Sequence, residues 1–203
     1  MNNQIITIGR QVGSGGRLIG KMLAERLGLA FYDHEIISRA ARESGIRDEF
    51  FETNDEKGSL LSRLTNYFTM SMGLQNGSYL TSENLFKVQS DAIRRAANEG
   101  GAVFVGRCSD YILRDFSDKT DVFISASLDD RVQRASHYFN LPADETRRRI
   151  EQLESAREEY YNFFTNKHWG MASSYDLCIN STGLQLSDCV DMIIDYIAKK
   201  NKQ

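Results

Sequence analysis

Residues 5–21 read Ile5-Ile6-Thr7-Ile8-Gly9-Arg10-Gln11-Val12-Gly13-Ser14-Gly15-Gly16-Arg17-Leu18-Ile19-Gly20-Lys21. A β-branched run stops, small residues take over, and a helical apolar pattern begins. That order builds an anion cradle. Backbone N–H groups at a helix N-terminus aim at the anion, and the helix dipole adds to their field. Glycines let the backbone come close. A Walker A loop reads Gly, four residues, Gly-Lys, then Ser or Thr. With Gly15 as its second glycine, Arg10 stands at the leading glycine, Gly16 at the lysine and Arg17 at the hydroxyl. We expect Gly13, Ser14, Gly15, Gly16, Arg17 and Leu18 to form a phosphate cradle. Arg17, at the helix start, is the preferred substitute for the lysine charge, ahead of Lys21. Two other readings stand beside this one. The turn could carry no ligand, or it could be a dinucleotide fingerprint with Gly13, Gly15 and the acid Asp33, although Leu18 fills that motif's third glycine position.

Arginine dominates the chemistry of the second half. Its planar fork grips phosphate oxygens through paired hydrogen bonds and stays charged at any relevant pH. Arg107 follows the apolar run Val103-Phe104-Val105-Gly106, at the expected carboxyl end of a strand. Arg131 and Arg134 are spaced to share one helix face. Arg147, Arg148, Arg149 and Arg157 follow in the next helical pattern. Two linked Arg-rich helices over residues 128–165 suit a lid that closes on polyphosphate, supplies transition-state charge and excludes water. The interleaved Glu145, Glu151, Glu154, Glu158 and Glu159 allow the plainer reading of a solvated charged face.

The elements that must hold these residues alternate. Apolar runs at 4–9, 30–32, 102–106, 121–126 and 175–180 predict five strands covered on both faces. Helical patterns at 16–27, 34–43, 82–98, 128–138, 142–164 and 185–199 separate them. The expectation is an α/β fold with a parallel sheet, right-handed crossovers and ligands at the carboxyl ends of the strands. The polar stretch 47–81, with Leu60, Leu61, Leu64, Phe68 and Met72 at helical spacing, reads as a helical insert. That apolar stripe suits packing against the body or a partner subunit, which makes a homodimer an expectation.

At 203 residues with 41% hydrophobic and 26% charged residues, the chain suits one globular domain with elaborations. A net charge of -3 gives no basic surface for nucleic acid. No run is long enough to cross a membrane, and the first residues lack an export signal. Cys108, Cys178 and Cys189 lack CxxC spacing and read as reduced thiols, so we expect a cytoplasmic protein. His34, His137 and His168 are scattered, and no metal cluster of side chains is expected.

In combination these segments resemble the cytidylate kinase family, and more closely its cytidylate kinase-like branch. The matching stretches are residues 9–21, Phe31-Tyr32-Asp33-His34-Glu35-Ile36-Ile37, Val105-Gly106-Arg107-Cys108-Ser109-Asp110-Tyr111-Ile112-Leu113, the Arg131/Arg134 helix, and Glu159-Tyr160-Tyr161 through Trp169-Gly170 to Tyr175-Asp176-Leu177-Cys178-Ile179-Asn180. The resemblance implies a three-layer P-loop kinase fold with five parallel strands, an acceptor-binding insert at 47–81 and a lid at 128–165. It implies γ-phosphoryl transfer from ATP, with Mg²⁺, to a nucleoside monophosphate such as CMP or dCMP. By position it implies that Asp33, Arg39, Arg107, Arg157 and Glu158 bind the acceptor and that Arg131 and Arg134 are lid arginines. Three positions depart from the family: Cys108 replaces an Asp that meets a base edge, Arg17 the Mg²⁺-holding hydroxyl, and Gly16 the lysine. These departures support an alternative expectation, a nucleotide-binding protein with little turnover.

Overall fold

The computed structural model describes residues 4–33 and 82–202. Arg39, the helical pattern at 34–43 and the insert at 47–81 lie outside the described residues.

Strand β1 (Ile5–Arg10) leads through the glycine turn into helix α1 (Gly16–Leu27), and β2 (Ala30–Tyr32) follows. After α2 (Ser82–Glu99) come β3 (Ala102–Val105) and the short α3 (Ser109–Ile112). Strand β4 (Lys119–Ser125), the helix pair α4 (Leu128–Phe139) and α5 (Ala143–Thr165), β5 (Leu177–Asn180) and α6 (Leu186–Lys200) complete the chain. The sheet runs β2-β3-β1-β4-β5, and every neighbouring pair is parallel. This is the expected five-stranded parallel α/β architecture.

Continuous apolar strands bury both faces of such a sheet. Alternation along β3 shows it directly. Ala102 and Phe104 join Ile5, Ile93, Ile112, Leu113, Tyr160 and Tyr161 on one side. Val103 and Val105 join Ile6, Ile8, Ile19, Leu23, Val190 and Ile193 on the other. Helices α2, α3 and α5 therefore cover one face, and α1 and α6 the other. A third, smaller cluster packs Val132, Ala135 and Ile150 of the α4/α5 pair onto Val12 of the glycine turn.

The helix ends are fixed by local chemistry. Gly28 closes α1 in the left-handed conformation, and Asn140 and Asn166 do so for α4 and α5. Ser127 caps α4 by accepting the Asp130 N–H. Pro142 precedes α5, where its missing N–H costs no intrahelical bond. No described helix is long and apolar enough to cross a membrane.

Candidate functional site

The glycine turn forms a tight loop on the carboxyl end of β1. Gly13 and Gly15 have φ of 80° and 83°, which glycine adopts without strain. Close packing forbids side chains at both. A Cβ at Gly13 would lie 2.5 Å from the Arg131 carbonyl oxygen, and one at Gly15 2.6 Å from a Leu186 methyl. Ser14 is fully buried and its hydroxyl donates to the Gln11 carbonyl. The first turn of α1 has no side-chain cap and no acidic residue. Its N–H groups and dipole are therefore not opposed by a carboxylate of that turn. Leu18 is exposed.

Behind the loop lies a clamp. The Val12 N–H donates to Glu154 Oε1 at 2.8 Å, and Arg131 Nη1 donates to Glu154 Oε2 at 2.7 Å. Arg131 is buried, so the pair is largely withdrawn from solvent. Arg134 donates to the Ser181 hydroxyl and carbonyl, and the Ser181 hydroxyl donates to the Ser14 carbonyl at 2.8 Å. The two lid arginines of the sequence reading thus brace the loop from behind. Neither lines the cavity described next. Arg147 pairs with Asp129, while Arg148 and Arg149 are exposed.

In front of the loop, at the ends of β1, β2 and β3, a cavity of about 230 Å³ opens. Four arginines line it: Arg10, Arg17, Arg107 and Arg157. Arg17 is forked onto the buried Asp33, its Nε at 2.8 Å and Nη2 at 2.6 Å from Asp33 Oδ2. Two residues assigned separate roles from the sequence therefore form one unit spanning the loop and β2. Arg157 Nη1 donates to the Arg10 carbonyl at 3.3 Å, tying α5 to the end of β1. Glu158 is exposed and is not among the lining residues. Lys21 pairs with Glu25 on the exposed side of α1 and is also outside the lining.

Arg107 sits on an unusual turn. Gly106, Arg107 and Cys108 have φ of 79°, 57° and 55° in succession. Left-handed backbone at a non-glycine residue stores strain and is found disproportionately at functional sites. The turn swings the Arg107 side chain back toward the cavity, close to the Tyr160 hydroxyl. It also buries the Cys108 thiol, and burial pushes its pKa well up. A buried neutral thiol cannot replace the charged hydrogen bonds of an Asp.

The remaining wall is aromatic and polar. It includes Tyr160, Tyr161, Trp169 and Tyr175, with Tyr138 at the exposed rim. Tyr161 donates to Asp110 Oδ2 at 2.6 Å. Burial raises the Asp110 pKa, the Tyr161 hydrogen bond opposes that rise, and Asp121 adds to it. Burial likewise raises the pKa values of Tyr160, Tyr161 and Tyr175, so all three stay neutral donors. Sequence reasoning missed Arg10, Asp110 and this tyrosine set. Asp110 was visible in the motif Cys108-Ser109-Asp110-Tyr111, two positions beyond the expected acid.

A glycine loop on β1, a β2-β3-β1-β4-β5 parallel sheet and ligand-facing strand ends define a P-loop kinase fold. The cytidylate kinase-like family matches residues 5–183, and the chain belongs to that family. An uncharacterized protein from Eubacterium ventriosum is similar in structure, with a TM-score of 0.74 and 25% identity over 96% of this chain and 98% of that one. A shikimate kinase from Bacteroides thetaiotaomicron shares the fold, with a TM-score of 0.56 and 14% identity over 96% and 98% of the two chains. A gluconokinase from Sinorhizobium meliloti does so with 0.53 and 16% over 97% and 93%. No curated protein matches the sequence.

Proposed function

We propose that the chain transfers the γ-phosphoryl group of ATP to a nucleoside monophosphate, with CMP or dCMP the first candidates by family. The observation that carries this reading is the mixed lining of the cavity beside the glycine loop. Four arginines and a set of neutral aromatic side chains line it together. That lining suits a ligand that carries both an anionic group and a flat ring. Phosphoryl transfer demands mostly positioning and charge stabilisation, which arginines and backbone amides can supply.

In the proposed reaction the loop Gly13-Ser14-Gly15-Gly16 and the first turn of α1, through Arg17 and Leu18, hold the ATP phosphates. Arg107 and Arg157 hold the acceptor phosphate, with Arg39 of the 34–81 segment as a further candidate. An acceptor phosphate oxygen attacks the γ-phosphorus. The bond from γ-phosphorus to the bridging oxygen breaks, and ADP leaves with that electron pair. A monophosphate dianion needs no base. With a hydroxyl acceptor, Asp33 would take the proton, released from or shared with Arg17. Arg131 and Arg134, with the helices of residues 128–165, support the loop, and Glu158 is a candidate for the acceptor ribose. Residues 47–81 are the proposed acceptor-binding insert.

A protein-held Mg²⁺ does not fit this loop. Arg17 stands at the hydroxyl position and is paired with Asp33. Among the described residues no group of three or more His, Cys, Asp or Glu could hold a metal ion. ATP is therefore proposed to bring its own ion, and no step is routed through it.

The test is phosphoryl transfer from MgATP to CMP, dCMP, UMP and AMP, read by separation of products. Diphosphate formation supports the reading, and no transfer to any of them counts against it. Gly16 and Arg17 in place of the lysine and hydroxyl favour one second reading, a nucleotide-binding protein without turnover. Saturable ATP binding with no transfer would select it.

A further inference from the structure

Gly16 stands at the first helical position of α1, where a Walker loop carries its lysine. Its backbone does not need glycine. It is absent from the positive-φ residues, unlike its neighbour Gly15. What excludes a side chain is Arg10. A Cβ at Gly16 would lie 2.6 Å from the Arg10 Cβ and 3.0 Å from its Cγ. Non-bonded carbons prefer about 3.5–4.0 Å. The stem of Arg10 therefore fills the volume from which a lysine at position 16 would start.

The other end of Arg10 is equally placed. A Cβ at Gly106 would lie 1.9 Å from Arg10 Nη1. The guanidinium thus rests on the backbone of Gly106, at the carboxyl end of β3, the strand next to β1. Arg10 runs from the foot of α1 to the end of β3 and lines the cavity between them. In the Walker register Arg10 occupies the leading glycine position. Arginine has replaced glycine at one end of the loop, and glycine has replaced lysine at the other.

We infer that these two replacements are reciprocal, and that Arg10 carries the phosphate-binding charge of the missing lysine. Lys21 pairs with Glu25 away from the cavity. Arg10 has its stem in the lysine's space and its guanidinium on the Gly106 backbone, one residue before Arg107. A planar fork there can bridge a donor phosphate and an acceptor phosphate, which a lysine ammonium does less well. The inference rests on the proposed phosphotransfer, and it names the residue that stabilises charge on the transferring group.

The experiment uses the full chain and four variants: Arg10→Met, Gly16→Lys, the double variant Arg10→Gly/Gly16→Lys, and Arg17→Ala. Met keeps the packed stem and removes the charge. Binding of MgATP and of inorganic tripolyphosphate is measured by calorimetry, transfer by product separation, and folding by melting temperature. Arg10→Met should lose at least 100-fold in transfer, the scale of one deleted transition-state donor, and at least tenfold in tripolyphosphate affinity. Gly16→Lys alone should melt lower, because its Cβ collides with Arg10. The double variant should fold and regain at least tenfold in tripolyphosphate affinity over Arg10→Met. If Arg10→Met keeps wild-type binding and transfer while Arg17→Ala loses both, the inference is overturned and the kinase reading stands. If the wild-type chain binds neither MgATP nor tripolyphosphate, both fall together.

Discussion

Replacing Glu154 with Ala should destabilise the protein far more than a surface substitution on α5 would. Glu154 joins the Val12 N–H at 2.8 Å and Arg131 Nη1 at 2.7 Å. The side chains of Arg131 and Glu154 are 9% and 18% exposed, so solvent screens the pair little. Removing one partner of a buried pair leaves an uncompensated charge and costs about 3–5 kcal/mol. Arg131 is poorly placed to find a substitute, since its Nε is already buried without a hydrogen-bond partner among the described residues. For a chain of this size about 1 kcal/mol moves Tm by roughly 2–4 °C. Glu154→Ala should therefore lower Tm by roughly 6–20 °C in a thermal unfolding scan. The double variant Arg131→Met/Glu154→Leu removes both charges and should recover part of that loss, the unpaired Val12 N–H keeping the rest. ATP affinity should fall in Glu154→Ala as well, because Val12 anchors the loop. A Tm drop under about 2 °C in Glu154→Ala, or a double variant no better than the single one, would refute the claim that a withdrawn ion pair holds the loop.

Gly13→Ala should weaken ATP binding by at least about tenfold, because a left-handed Ala costs about 1–2 kcal/mol and its Cβ would meet the Arg131 backbone. Gly183→Ala is the control, with φ of 68° but nothing within 4 Å of the added methyl. Equal ATP affinity in the two variants counts against the cradle. Arg107→Ala should reduce acceptor use by about 100-fold while sparing ATP affinity, and unchanged acceptor kinetics would remove Arg107 from the site. Asp110 has a pKa raised above 3.8 by burial. Its folded form binds a proton more tightly than its unfolded form, so this contribution to stability is complete below 3.8 and is lost as pH rises through the folded value. Asp110→Asn should flatten the fall in Tm over that window, and an unchanged pH profile would show that Asp110 does not titrate as described.

The strands were legible because each is a continuous apolar run between polar turns. The parallel topology followed from strand–helix alternation, whereas the order β2-β3-β1-β4-β5 is set by tertiary pairing. Two boundaries moved for tertiary reasons. Strand β4 begins at Lys119, two residues before its apolar run, because its ladder with β1 extends back to Ile5, opposite Lys119. The last strand begins at Leu177, because Tyr175 packs on Phe123 through its ring and stands outside the ladder. Helix α3 was missed. It is four residues long and is launched by the left-handed Gly106-Arg107-Cys108 turn, which no local propensity announces. The arginines show where the sequence runs out. Spacing put Arg131 and Arg134 on one helix face, yet their direction depends on Glu154 and Ser181, which lie 23 and 47 positions away. Arg10 could be placed in the Walker register by counting. That its stem excludes a side chain at Gly16 is a fact of three dimensions.

The mixed lining of the cavity also bears on the acceptor class. A phosphorylated or hydroxylated acceptor without an aromatic ring would engage the arginines and leave the tyrosine wall unused. Aromatic stacking contributes about 0.5–1.5 kcal/mol beyond burial per pair, so a flat base gains roughly 2- to 13-fold from one such contact. The tyrosine hydroxyls and the thiol of the lining are neutral. Burial keeps the Tyr160, Tyr161 and Tyr175 hydroxyls protonated and the Cys108 thiol un-ionised, and Tyr161 occupies one oxygen of Asp110. Neutral donors discriminate by matching hydrogen bonds, and a site built that way rejects a ligand lacking the match because buried groups are left unpaired. Cys108 stands where the resemblance implies an acid, and Asp110, bonded to Tyr161, is a carboxyl among the described lining residues. A cytosine amino group would find its acceptor there, whereas uracil would set a carbonyl against that carboxylate. Preference for CMP over UMP should therefore fall when Asp110→Asn is assayed with both acceptors, and an unchanged ratio would mean that base choice lies elsewhere.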